Sequence, residues 1–427
     1  MGIGLRSAII SLVVTVLGFG AAAAPARAQA AGGVPPDPSA QAAQTVAQVD
    51  VFDVLRRLFK DSPADPSAAE PLDERRLQFT IMPGIGYNPS AGFVIGASGN
   101  ISKYFGDPAT TRLSTAVVGA SYSSKQQASL TARFAVSGAD NRWRLDGDNR
   151  FQWTSQNTYG LGTNTTPADL VDTKFTFVRI YDVALYELTK HVYAGAGFHY
   201  SLHTNVRPYN DGDPAWEDSA YVSYTEANGF DLKGQASAGV SVNLMVDTRD
   251  NPINASRGWA ANVSYRPFFK NVLGGDSSWQ ETYVDVRSFF SLSKDRRQRL
   301  AVWAYGDLGG GGTAPYFDLP YLGTGSSGRS GRGYTEGRYR GQQIVYGEVE
   351  YRATLTRNGL LGAVAFLNTT TVSDEQTGEK LFDGFATGGG IGFRLSFSKR
   401  SRTNMCFDYA WGRHGARGLY IALQEAF

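Results

Sequence analysis

The sequence predicts an all-β protein, a transmembrane antiparallel β-barrel of sixteen strands with a long sixth surface loop folded into its lumen. Three observations carry this reading. From Leu77 to Phe427 side chains alternate with a period of two. The alternating runs are about ten to thirteen residues long, right for a tilted membrane-crossing strand and long for a soluble sandwich. The connections are alternately short and charged, then long, as periplasmic turns and surface loops are in outer-membrane barrels.

Composition narrows the alternatives. The chain has 427 residues, with 50 Gly, 24 Phe, 22 Tyr and 7 Trp, and 19% of it is charged. No run of about twenty apolar residues follows the first twenty positions, which excludes a helical membrane protein. An aromatic content of 12% argues against disorder. Lys and Arg total 41 against 39 Asp and Glu, so no basic field invites nucleic acid. The single cysteine, Cys406, excludes a disulfide scaffold and a cysteine-based zinc site.

The N-terminus reads as a targeting segment. Arg6, the apolar stretch Ile9 to Phe19 and the small residues of Ala26-Arg27-Ala28 form a secretory signal peptide over 1–28. Residues 29–76 are rich in Ala, Pro, Gln and Asp and read as a periplasmic linker. Within it, Val51, Val54, Leu55, Leu58 and Phe59 share helical spacing over Val46 to Lys60. That segment is either a transient helix in a tether or a latch on the main domain.

The barrel occupies 77–427. In Val192 to Leu202 large apolar and small polar residues alternate, and in Asn404 to Trp411 Met405, Phe407, Tyr409 and Trp411 share one face. The strands fall near 77–86, 91–102, 112–123, 127–138, 142–153, 175–187, 191–202 and 230–245. The second half follows near 257–268, 279–291, 298–307, 342–354, 359–372, 385–397, 402–411 and 417–427. Short charged turns such as Lys294-Asp295-Arg296-Arg297 oppose long loops at about 154–174, 203–229 and 308–341. An even strand count puts both termini in the periplasm. Phe427 ends the final strand as an aromatic sorting signal, although Glu425 breaks the outward apolar row.

The conspicuous motif is the loop 308–341. Gly323 to Gly328 matches G-x-G-x-x-G, but no helix follows, so no dinucleotide cofactor is expected. No G-x-S-x-G elbow occurs, and His199 and His203 stand about 13 Å apart on a strand, too far to share a metal. No enzyme, cofactor or metal site is expected.

Arg332-Gly333-Tyr334, Arg338-Tyr339-Arg340-Gly341 and the strand Val345 to Arg352 resemble the sixth loop and twelfth strand of the outer-membrane assembly-factor superfamily, the BamA/TamA or bacterial surface antigen family. Four more motifs follow in family order. Gly84 to Pro89 with Gly92 is similar to the first hairpin, and Tyr159-Gly160-Leu161-Gly162 to a Tyr-Gly-Leu-Gly stretch. Asp247, Arg249, Asp250, Pro252 and Gly258 resemble the turn between strands eight and nine, and Gly390 to Arg394 with Phe407 to Ala410 resemble closing strands. The resemblance implies that Arg332, Gly333 and Tyr334 anchor the loop and that Arg332 meets luminal acids. Alternation puts Asp408, Glu348 and Glu350 on the luminal face. Gly331 stands where the family carries an aliphatic residue, which implies a looser anchor. Residues 29–76 are too few and too linker-like for the POTRA domains of the larger members.

The expected function is that of an integral outer-membrane barrel acting in membrane biogenesis, or in passage of a protein or lipid through the barrel or its lateral seam. The expected partners are outer-membrane lipid, lipopolysaccharide and a periplasmic or surface protein substrate. The alternative is a general solute pore.

Overall fold

The computed structural model describes residues 48–51, 53–54, 77–88, 91–107, 110–323, 329–399 and 402–427. The signal peptide and most of the linker lie outside the described residues. Among the described residues, sixteen strands form one closed antiparallel barrel in which each strand pairs with its chain neighbours and the first pairs with the last. They are β1 Gln78–Asn88, β2 Gly92–Lys103, β3 Ser114–Ser123, β4 Ala128–Ser137, β5 Trp143–Thr158, β6 Val171–Thr189, β7 Val192–Pro208 and β8 Gly234–Asp247. They continue as β9 Gly258–Phe268, β10 Trp279–Ser291, β11 Gln298–Gly310, β12 Gln343–Thr354, β13 Leu361–Ser373, β14 Ala386–Ser398, β15 Thr403–Trp411 and β16 Arg417–Leu423.

Alternation sorts side chains between two environments. Phe79, Ile81, Ile95, Trp153, Val242, Val263, Leu367, Ile391 and Trp411 stand exposed on the outside, an apolar belt that would be untenable in water. The enclosed face carries Asp285, Glu348, Glu350, Arg352, Arg394 and Asp408, all buried. Apolar outside and charged inside is the pattern of a lipid-embedded barrel. No helix among the described residues is long and apolar enough to cross a membrane.

Three features depart from the pattern read in the sequence. Strands β5, β6 and β7 run to 16, 19 and 17 residues, so they extend beyond a bilayer crossing into the long connections between β5 and β6 and after β7. Inside the loop after β7, Ser219 caps a short helix α1, Ala220–Ala227, by accepting from the Val222 N–H. The final strand stops at Leu423, four residues early. Gln424 takes a left-handed φ of 73°, which turns the chain inward and buries Glu425, Ala426 and Phe427. Phe427 therefore packs beside Phe289 and Trp303, with ring centroids 6.3 and 5.2 Å away, and does not sit in the outward row.

Closure is uneven. Among the described residues, strands β15 and β16 share seven register pairs, Met405↔Leu423 to Trp411↔Arg417, whereas β1 and β16 share Tyr87↔Ile421 alone. Pro83 sits in β1 and has no N–H to donate.

Residues before the barrel also meet it. Asp50 and Asp53 exchange backbone-to-carboxylate hydrogen bonds at the start of a helical turn that includes Val51 and Val54. The Lys399 N–H and ammonium donate to Asp50 and Asp53 at 3.0 and 2.7 Å, and Val49 N–H reaches the Asn358 carbonyl. The described part of the helical segment is thus fixed on the turns between β12 and β13 and between β14 and β15.

Candidate functional site

The connection between β11 and β12, residues 311–342, is pinned at several separate places. Near its start, Asp318 accepts from the hydroxyls of Ser201 on β7 and Ser237 on β8, both at 2.6 Å. Tyr316 and Phe317 pack with Tyr221 of α1, and Tyr224 of the same helix donates to the Ala314 carbonyl. Near its end, Arg338 donates to the Thr165 hydroxyl and carbonyl, and Arg340 to the Gln156 amide oxygen at 2.5 Å. Gly162 N–H donates to the Arg340 carbonyl, so the Tyr159–Gly162 stretch clasps the loop directly.

Between these points lies Arg332, 3% exposed. Its guanidinium donates to Asp408 on β15 at 2.7 Å, to Glu350 on β12 at 2.5 Å and to Glu348 on β12. The same group stacks over Phe366 of β13, 3.5 Å from the ring centroid. A planar fork with five donors suits such a ring of carboxylates. Neighbouring charges extend the network. Arg352 donates to Glu350 at 2.6 Å, and Arg394 of β14 donates to Asp408 at 2.5 Å and to Glu425 at 2.7 Å. Glu348 also accepts from the Tyr346 hydroxyl.

Local backbone chemistry makes room for this approach. Gly333 has φ +111°, and a Cβ there would lie 2.6 Å from the Trp411 carbonyl oxygen. Its N–H donates to the Tyr420 hydroxyl, which in turn donates to the Tyr334 carbonyl. Tyr334 then donates to the Thr387 carbonyl at 2.5 Å, and its oxygen accepts the Arg413 N–H. On β14, side chains at Gly388, Gly390 or Gly392 would meet the Arg332 carbonyl of the loop, Phe366 of β13 or Asp408 of β15 within 3.1 Å, so the loop and the two flanking strands share the space this strand leaves empty. Gly331 does not leave a hole. The Leu322 side chain, 1% exposed, occupies the position where its Cβ would point, and the Gly331 N–H donates to Tyr346. The looser anchor inferred from the missing aliphatic residue is therefore corrected, since a leucine nine residues earlier fills the gap.

The structure thus gathers Arg332, Gly333, Tyr334, Glu348, Glu350 and Asp408 into one cluster. Sequence reading did not pair Arg394 with Asp408, and it took Glu425 for a defect in an outward row. The alternation of Arg394 with inward glycines carried the first signal. The second had none, because the turn at Gln424 follows from tertiary context.

The turn motif forms a separate site at the other end of the strands. Asp247 accepts from Arg249 at 3.0 Å and from Arg112 at 2.9 Å. Asp250 accepts from the Ser256 N–H and hydroxyl and the Arg257 N–H, and Arg249 reaches the Pro252 carbonyl. Partial burial of Asp250 raises its pKa, but these donors outweigh it and hold the carboxyl below its usual range. Gly258, with φ +96°, closes the turn where a Cβ would meet the Thr248 carbonyl oxygen.

Comparison with known proteins places this geometry. The profile of the Omp85 superfamily domain matches residues 105–416. No curated protein sequence matches the chain. Among solved structures the barrel is similar to BamA from Haemophilus ducreyi lacking POTRA domains 1–3, with TM-score 0.54 and 12% identity over 82% of this chain and 70% of that one. It is also similar to CdiB from Escherichia coli, with TM-score 0.50 and 11% identity over 82% of this chain and 67% of that one. At these identities the likeness speaks for the fold.

Proposed function

This chain belongs to the Omp85 superfamily, and on that premise we propose that it sits in the bacterial outer membrane with both ends of its strand ladder periplasmic and passes a protein substrate through its lateral seam. The carrying observation is the single register pair that joins β1 to β16. Unpaired backbone N–H and C=O groups at such a junction are a template for an incoming strand. The strap from 311 to 342 serves as a plug: pinned across the barrel, it disfavours steady solute flow, so the seam is the route a substrate takes. Outer-membrane lipid and lipopolysaccharide border that seam as partners. The chain acts as a conduit and not as a catalyst.

The test is a lock. Tyr87→Cys with Ile421→Cys, in a Cys406→Ala background, places thiols at paired positions of the seam. Oxidation should reproduce the phenotype of deleting the gene, reduction should relieve it, and bulk outer-membrane proteins should persist in both strains. A locked barrel with full function, together with large steady conductance, would favour a solute pore instead.

A further inference from the structure

One group of inward charges lies apart from the strap cluster and takes no part in holding it. Arg150 on β5 and Arg179 on β6 stand directly opposite each other in the strand register, both facing the interior. Like charges directly opposed on neighbouring strands are destabilising, so such a pair needs a compensating partner. Arg150 has one, since Asp148 accepts from it twice, at 2.8 and 2.5 Å. The same Asp148 also accepts from Arg133 of β4 at 3.2 Å. Arg179 has no hydrogen-bonded acid of this kind: its guanidinium lies over the faces of Phe177 and Tyr181, 5.3 and 4.6 Å away, its Nε is buried without a hydrogen-bond partner, and Asp148 and Asp318 act on it only across space.

The space in front of these groups is open. Arg133 and Arg179 line both a cavity of about 720 Å³ and an adjoining one of about 290 Å³, and Arg329 and Arg150 border one each. Besides Asp148, six carboxylates line this space, Asp146, Glu281, Asp307, Asp318, Glu336 and Glu425. Arg144 holds Asp146, Arg266 holds Glu281, Ser201 and Ser237 hold Asp318, Tyr321 and Gln156 donate to Glu336, and Arg394 holds Glu425. Six guanidinium groups, Arg144 and Arg266 included, therefore border the void; Arg144 and Arg266 are paired with Asp146 and Glu281, and on the wall of β4 to β6 Asp148 is the acid in ion-pair contact with Arg133 and Arg150.

We propose that this wall is an anion site that takes a phosphate group, with Arg179 as its main ligand and Arg150 and Arg133 as flanking charges. A planar guanidinium fork matches phosphate oxygens bidentately, and a doubly charged anion offsets the opposed pair. The combined cavities are sized for a small molecule or a headgroup and not for a folded protein. The proposed ligands Arg179, Arg150 and Arg133 lie on β6, β5 and β4, away from β1, β16 and the Arg332 cluster, so the site stands independently of the seam reading.

The experiment titrates the purified full chain in zwitterionic detergent with inorganic pyrophosphate by calorimetry at constant ionic strength. A second arm uses dihexanoyl phosphatidic acid, with dihexanoyl phosphatidylcholine as the control. Saturable binding of pyrophosphate alone identifies a soluble phosphate compound, and tighter binding of the phosphatidic acid identifies a lipid headgroup. Arg179→Gln should weaken the bound probe by about tenfold or more. Arg179→Lys, which keeps the charge and loses the fork, should bind between the two. Absence of saturable binding of either probe to the wild type, or equal binding by Arg179→Gln, overturns the proposal.

Discussion

Replacing Arg332 with alanine removes the charge on which three carboxylates converge. The consequences differ among them. Glu350 retains Arg352 at 2.6 Å and Asp408 retains Arg394 at 2.5 Å, whereas Glu348 loses its guanidinium and keeps only the Tyr346 hydroxyl. Glu348 is 2% exposed, so water cannot substitute. Breaking a buried pair from one side costs about 3–5 kcal/mol. Since two of the three acids stay paired, the lower half of that range applies, with about 1–2 kcal/mol of lost stacking on Phe366 overlapping it. A shift of about 3–4 kcal/mol multiplies the population of the released strap by about 10²–10³. Limited proteolysis of purified protein reads this directly, because cleavage of a transiently opened segment follows its open population. Clipping within 311–342 should accelerate by that factor, with the barrel itself intact. Glu348→Gln added to Arg332→Met should recover most of the loss, since replacing both members of a buried pair with neutral groups is nearly neutral. Unchanged clipping in Arg332→Ala, or a double variant as labile as the single one, would refute the assignment of Arg332 as the pin.

Cysteines at Asp211 and Thr377, exposed beyond the long-loop ends of the strands, should react with impermeant reagent on intact cells in a Cys406→Ala background, and one at Arg357 should not; the reverse pattern inverts the topology. Asp250→Asn should cost about 1 kcal/mol at neutral pH and flatten the acid limb of the stability profile. The sign follows from the depressed pKa: the stabilisation is complete above the unfolded carboxylate value of about 4 and is lost as pH falls through the lower folded value. Thermal melts between pH 7 and pH 3 check this, and identical profiles for variant and wild type would count against it.

Most of the architecture was legible in the chain because a barrel wall is a local pattern. The two-residue period sorts Glu348, Glu350 and Asp408 onto one face and Trp411 onto the other, strand length and aromatic placement turn the apolar face to lipid, and every strand paired with its chain neighbour needs no long-range guess. What escaped depends on packing between distant segments. Nothing near Leu322 signals that it fills the slot beside Gly331. Helix α1 has a weak pattern of its own, and it is held by Tyr224 reaching Ala314. The inward turn at Gln424 places Glu425 against Arg394, a contact across 31 residues that alternation along β16 would have placed on the lipid side.

The glycines of β14 carry one more implication. Gly388, Gly390 and Gly392 leave this stave with little of its own to pack inside, and glycine-rich backbone loses more entropy on ordering than any other. Arg332, Phe366 and the Asp408 carboxylate occupy that space instead. The strap and the wall from β13 to β15 therefore form one cooperative unit, a foldon whose amides should gain and lose hydrogen-exchange protection together. Releasing the strap softens the wall two strands from the weakest junction of the barrel, so whatever displaces Arg332 also loosens the staves on which β16 depends.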